Sequence, residues 1–192
     1  MSGINFNDPA RITIFADAAF QEYTGAAGWG AWSKRGGWEW GYKFGGTFHH
    51  KMPSNNAAEL CALANAIHVL HTEDKLDGIT RILLQSDSLQ ALSIIYTAIP
   101  TARQFNSAGV TITKMKDPSK LDRLEAPFST AIAFLKAYAE AGIAFELKHV
   151  KGHAKANSGR SWVNGQTDKL AYKGMCSHPL FMKSNEARKR LR

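Results

Sequence analysis

Four carboxylates stand at positions where a carboxylate needs an explanation: Asp17, Glu59, Asp87 and Asp168. Asp17 ends a strand-like apolar run, and Asp87 follows directly after the apolar run at residues 80–85. Glu59 heads a helical stripe whose positions i+3, i+4, i+7, i+8 and i+11 are all apolar. An unpaired charge buried in a core is strongly unfavourable, so these acids predict a compensating partner such as a metal ion.

Three of the four acids also have a structural explanation when they are considered alone. Asp87 could cap the helix that follows it, since Asp is a common residue at helix starts. Glu59 lies near a helix N-terminus, where the helix dipole favours an anion by about 0.3–1 kcal/mol. Asp168, inside the last predicted helix, could be an ordinary solvated surface charge. These alternatives stay open for each residue separately.

The elements that must position these acids follow from hydrophobic periodicity. Predicted strands cover residues 11–17, 29–34, 38–48, 80–85 and 143–150, and predicted helices cover residues 57–70, 88–99, 126–141 and 162–173. The glycine-rich residues 24–28 are interpreted as a loop that leads into the second strand. Residues 100–126 break the pattern and are interpreted as an insertion. The order βββαβα, insertion, αβα predicts an α/β fold with a five-stranded mixed sheet flanked by helices. Its front meander is antiparallel, and right-handed crossovers make the remainder parallel.

This order brings the acids together. The strands that end at Asp17 and Asp87 are expected to be neighbours, and Glu59 begins the helix that precedes the second of them. Ligands of open α/β sheets gather at such strand ends. Several carboxylates at one point repel one another unless cations bind, and oxygen ligands suit Mg²⁺ or Mn²⁺ better than zinc. The sequence therefore predicts a divalent-cation site.

Composition sets the wider limits. The 192 residues suffice for one domain, and the net charge of +8 favours a polyanionic partner, with simple solubility as the weaker alternative. No apolar run approaches the roughly 18–20 residues of a membrane span, so no membrane association is expected. The N-terminus lacks a signal pattern, and the two cysteines, Cys61 and Cys176, form neither a disulfide framework nor a zinc cluster. A cytoplasmic setting fits best.

Four segments resemble type 1 ribonuclease H in order, spacing and predicted context over about residues 10–174. They are Phe15-Ala-Asp17-Ala with the Gly-Trp-Gly strand after it, Ser54-Asn-Asn-Ala-Ala-Glu59-Leu, Gln85-Ser-Asp87-Ser, and His149-Val-Lys-Gly-His153 with Asn164-Gly-Gln-Thr-Asp168. The resemblance implies the ribonuclease H-like fold. It also divides the chain into a leader at residues 1–9, the domain at 10–174 with its insertion at 100–126, and a basic tail at 175–192.

The resemblance implies that the chain is an endonuclease that hydrolyses the RNA strand of RNA–DNA hybrids with two Mg²⁺ ions, for which Mn²⁺ could substitute. The products would carry a 5′-phosphate and a 3′-hydroxyl. The matching positions make Asp17, Glu59, Asp87 and Asp168 the metal ligands. His153 matches the family's loop histidine, which is associated with proton transfer or product release; its alternative is an ordinary surface histidine.

Further residues match positions that contact or support the bound hybrid. Ser54, Asn55 and Asn56 match minor-groove and phosphate contacts, and helix capping is their compatible structural role. Ala154 matches a backbone contact beside His153, and Asn164 matches an asparagine that supports the site. A monomer is expected.

Some features depart from the family pattern or leave alternatives open. The insertion at 100–126 stands where some relatives carry a basic protrusion that grips the hybrid, yet its basic residues are offset by acids and it has no Trp. A junction- or flap-cutting nuclease of the same fold is the alternative enzyme. A non-catalytic nucleic-acid-binding module is the alternative from another class, and it would be natural only if one of the acids were missing.

Overall fold

A computed structural model describes residues 7–105, 110–151 and 159–190, with the backbone alone for residues 159–161 and 187–190. The strands are β1 (Arg11–Gln21), β2 (Ala26–Arg35), β3 (Tyr42–Thr47), β4 (Arg81–Ser86), β5 (Arg103–Gln104) and β6 (Ala144–His149). The helices are α1 (Asn55–Thr72), α2 (Leu89–Ala98), α3 (Phe128–Glu140), α4 (Gly159–Cys176) and α5 (Pro179–Arg190), with a 3₁₀ helix at Pro118–Arg123.

The strands form one mixed sheet in the order β3-β2-β1-β4-β6-β5. The pairs β1–β2 and β2–β3 are antiparallel, whereas β1–β4, β4–β6 and β5–β6 are parallel. This confirms the predicted α/β class, the antiparallel front meander and the parallel remainder. One face of the sheet packs with α1 to form the core, through residues such as Ile14, Leu84 and Leu63, all fully buried. Helix α4 packs against β1, β2 and β3.

The described part of the sheet has six strands, so the prediction of five was wrong by one. The additional strand, β5, has two residues and pairs only with the edge of β6. A strand this short shows no alternation, so periodicity could not reveal it. The segment around it is partly structured, because Phe105 N–H donates to the Leu147 carbonyl (2.8 Å) and Ile112 is buried.

The start of β2 and the structure after α4 also differ from what the sequence pattern predicts. Strand β2 begins at Ala26, although residues 24–28 were expected to form a loop because they are rich in glycine. The chain after residue 176, expected only as a basic tail, forms helix α5. Pro179 occupies its first position, which suits a residue without an N–H, and His178 Nδ1 accepts the Leu180 N–H at 3.2 Å. Within the described residues, no helix is long and apolar enough to cross a membrane.

Candidate functional site

Strands β1 and β4 bring Asp17 and Asp87 to the same place. These strands are parallel neighbours, with Phe15 opposite Gln85 in register. Asp17 lies two residues beyond Phe15 within β1, and Asp87 lies two residues beyond Gln85, directly after β4. The predicted adjacency of these two strands is confirmed, and it follows from parallel pairing, which aligns equivalent ends of the strands.

Helix α1 supplies the third acid. Ser54 caps the helix by accepting the Ala57 N–H on its side chain at 3.2 Å, so the helix starts at Asn55, two residues before the predicted start at residue 57. Glu59 therefore lies just after the first turn, and it is only 5% exposed. Its Oε2 atom is buried without a hydrogen-bond partner among the described residues. A buried oxygen of this kind requires a proton or a cation.

Asp17, Glu59 and Asp87 form a compact triad. Each residue offers one carboxylate oxygen, and these three oxygens all lie within 4.8 Å of one another. Oxygen donors at such separations suit hard divalent cations, and the triad contains no Cys or His that would favour zinc. The unpartnered Oε2 of Glu59 fits the same interpretation, because a cation would satisfy it.

The electrostatics of the triad oppose its ionisation without a cation. Burial, then the charges of Asp17 and Asp87, raise the pKa of Glu59 to about 9. Hydrogen bonds from the Ala18 backbone and the Asn55 side chain oppose this rise without cancelling it. Burial and the charge of Asp87 likewise raise the pKa of Asp17 to about 7, against a hydrogen bond from the Ala18 N–H. A divalent cation would compensate both desolvation and mutual repulsion.

Asp168 lies beside the triad but outside it. It projects from α4 and is exposed. Its charge still contributes to the raised pKa of Asp17, although it is the smallest of the causes. The structure therefore brings three of the predicted acids together and sets the fourth at the rim.

The structure excludes helix capping as the explanation for Asp87. Helix α2 is capped by Ser88, whose side chain accepts the Ala91 N–H at 3.2 Å, so Asp87 is not the cap. Instead, the backbone carbonyl of Asp87 accepts a hydrogen bond from His149 Nε2 at 3.1 Å. Sequence reasoning did not assign His149 a role at the site. Its signal was its place in the His149-Val-Lys-Gly motif at the end of β6, opposite Ser86.

The expected substrate contacts lie on both sides of the triad. Asn55 is exposed and Asn56 half-buried at the start of α1, and the Asn55 side chain hydrogen-bonds Glu59. Asn164 lies one helical turn before Asp168 on α4, is 8% exposed, and has a buried Oδ1 without a partner in the described structure. His153 and Ala154 fall outside the described residues.

Comparison with known proteins identifies the family. The RNase H family model matches residues 9–176.

The chain belongs to the RNase H family.

This confirms the resemblance inferred from the motifs, and membership in this family makes the chain a nuclease. No curated protein matches the sequence closely enough to count as a relative.

Solved structures of the RNase H family share the fold. RNase H1 from the archaeon Halobacterium salinarum NRC-1 is 18% identical, with a TM-score of 0.53 over 86% of this chain and 97% of that one. The N-terminal RNase H domain of a Mycobacterium tuberculosis protein is also 18% identical, with a TM-score of 0.53 over 86% and 98%. LC11-RNase H1, solved in complex with an RNA/DNA hybrid, is 16% identical, with a TM-score of 0.54 over 85% and 96%.

Proposed function

We propose that this RNase H is an endonuclease that hydrolyses the RNA strand of RNA–DNA hybrids and leaves a 5′-phosphate and a 3′-hydroxyl. The observation that carries the proposal is the triad of buried Asp17, buried Glu59 and half-buried Asp87 at the edge of an RNase H sheet, with the unpartnered Oε2 of Glu59. A solved RNase H1 of the same fold bound to an RNA/DNA hybrid supports the choice of substrate.

We propose that the cofactor is Mg²⁺, bound as two ions, with Mn²⁺ as a substitute. Asp17, Glu59 and Asp87 would hold the ions, with Asp168 on the rim as a further ligand. Ions bound there would supply a water of lowered pKa and positive charge beside the leaving 3′ oxygen. The protein keeps the four acids at fixed positions, and the rigid β1, β4 and α1 backbones limit rearrangement during the reaction.

The start of α1 connects substrate recognition to the triad. The exposed amide of Asn55 and the half-buried amide of Asn56 can each donate or accept a hydrogen bond. A 2′-hydroxyl both donates and accepts, so an amide at this point can distinguish RNA from DNA. Asn55 also hydrogen-bonds Glu59, which means that a strand bound by Asn55 lies against the acids.

Two further roles belong to the proposal. His153, which falls between β6 and α4 in the sequence, would move a proton at the leaving group or assist product release, because an imidazole ordinarily has a pKa near neutrality. Asn164 would support the site from α4, since it is buried one helical turn from Asp168. Its burial favours a supporting role over a direct contact with the hybrid.

The test compares matched RNA–DNA, DNA–DNA and four-way-junction substrates in Mg²⁺ with the full chain. Cleavage of the RNA strand of the hybrid alone, with 5′-phosphate and 3′-hydroxyl ends, is the expected result. Preferential cutting of the junction would replace the proposal with a resolvase-type activity. Hybrid binding with no cutting of any substrate would make the chain a binding module.

A further inference from the structure

Helix α4 lies in direct backbone contact with β2 at Gly30. A Cβ atom built on Gly30 would stand 2.2 Å from the Thr167 carbonyl oxygen, 2.8 Å from Leu170 Cβ and 3.0 Å from the Ala171 nitrogen. Two of the three atoms belong to the helix backbone and the third is the root of a side chain, so none can move away independently. Any side chain at residue 30 therefore requires α4 to move outward as a whole.

The register of the sheet places this contact beside the triad. Gly30 pairs with Asp17 on β1 and with Gly45 on β3. Residues directly opposite one another in antiparallel strands direct their side chains to the same face, about 4.5–5.5 Å apart at Cβ. A side chain at residue 30 would thus lie next to the side chain of Asp17. Helix α4 occupies that space instead.

The turn of α4 that contacts Gly30 is the turn that carries the fourth acid. Thr167, whose carbonyl oxygen makes the closest approach to Gly30, immediately precedes Asp168. Asp168 stands outside the triad but close enough for its charge to act on Asp17. Outward movement of α4 would add directly to this separation.

We propose that Gly30 is a positioning residue that sets the distance between Asp168 and the triad by allowing α4 to rest on the β2 backbone. This inference depends on the proposed function for its catalytic consequence. Cation binding at this site is supported by two observations other than the Gly30 contact. The triad offers three carboxylate oxygens within 4.8 Å of one another, and the buried Oε2 of Glu59 has no hydrogen-bond partner among the described residues.

Another glycine provides the matched control. Gly165 is on α4 as well, and a Cβ built there meets nothing within 4 Å, so Gly165→Ala tests substitution on the same helix without displacement. A Cβ at Gly28 would stand 2.0 Å from the Met175 nitrogen, so Gly28→Ala also displaces α4 and is not a control.

The experiment measures hybrid cleavage and Mg²⁺ binding for wild type, Gly30→Ala, Asp168→Asn and the double variant, with melting temperatures as the folding check. We expect Gly30→Ala to lower kcat about 10–100-fold with KM for the hybrid nearly unchanged, since misplacement by about 1 Å can cost 100-fold. It should also raise the Mg²⁺ concentration needed for half-maximal activity. In the Asp168→Asn background, Gly30→Ala should change the rate less than about twofold, because coupled residues are non-additive.

An equal loss in both backgrounds, or near-wild-type activity of Gly30→Ala, overturns the proposal. If Gly30→Ala alone does not fold, the same cycle is run in the Gly165→Ala background, where replacing a glycine inside α4 by alanine stabilises the helix without a new contact. Calorimetric titration with Mg²⁺ distinguishes failure of the proposed function from failure of the positioning role of Gly30. If wild type cuts no hybrid, the proposed function fails, whereas weaker Mg²⁺ binding by Gly30→Ala than by Gly165→Ala still supports the positioning role and equal binding refutes it.

Discussion

The Nε2–H of His149 donates a hydrogen bond to the backbone carbonyl of Asp87 at 3.1 Å and so ties the end of β6 to the loop that carries a triad acid. A neutral hydrogen bond of this kind contributes about 0.5–1.5 kcal/mol. We therefore expect His149→Phe to lower kcat for the hybrid about 2–10-fold, with Asn or Gln at this position giving a smaller loss. Steady-state kinetics at saturating Mg²⁺ measure this, and a His149→Phe enzyme as active as wild type would contradict it.

Asp87→Asn tests the assignment of the triad. The substitution keeps the shape of the side chain and removes one charged oxygen ligand from the group within 4.8 Å. Cleavage should fall by orders of magnitude, because the proposed cation would lose a ligand. Hybrid affinity, measured by fluorescence anisotropy in the presence of Mg²⁺, should stay close to that of wild type. A mutant that still cuts near the wild-type rate would show that the site lies elsewhere.

The stability of the metal-free protein should depend on pH through Glu59. The pKa of this group rises from 4.5 to about 9 in the folded chain, so between these values the folded state binds more protons than the unfolded state. The free energy of unfolding therefore falls as pH rises through this window. Glu59→Gln removes the penalty, and in a chelator at pH 8 it should melt at a higher temperature than wild type. At pH 4 the two proteins should differ little.

Divalent cations should reverse this trend. The proposed ligands of Mg²⁺ are the ionised triad acids, so Mg²⁺ should raise the melting temperature of wild type more at pH 8 than at pH 6. At a concentration of 100 times Kd the expected gain is about 2.7 kcal/mol. Glu59→Gln should show a much smaller gain at either pH. Equal stabilisation of both proteins by Mg²⁺ would mean that the ion binds at another place.

The sequence was sufficient to predict how the triad assembles. Apolar runs that end in Asp17 and Asp87 mark two strand ends, and parallel pairing brings such ends together. Ser54 marks the helix start, and the helix then brings Glu59 to the same point. These features are local or follow from topology, so residue type and spacing reveal them.

Contacts made through backbone atoms were not predictable in the same way. The carbonyl that His149 contacts exists at every position of a chain, and only the folded structure selects that of Asp87. The glycine contact was misinterpreted for a similar reason. The residues around Gly28 suggested a loop, because glycine is depleted in strands unless another backbone approaches closely. That approach comes from α4, more than a hundred residues later in the sequence.

The contact between Gly30 and α4 also limits how this chain can recombine with related ones. A crossover between β3 and α4 would join a strand pair from one parent to a helix from another. The buried side chains of such a chimera tolerate many substitutions of similar volume. A Cβ at residue 30 would instead lie 2.2 Å from the Thr167 carbonyl oxygen, so α4 keeps its place only against a glycine. A functional chimera must therefore take residues 26–47 and residues 159–176 from the same parent, although most of the domain separates these segments in the sequence.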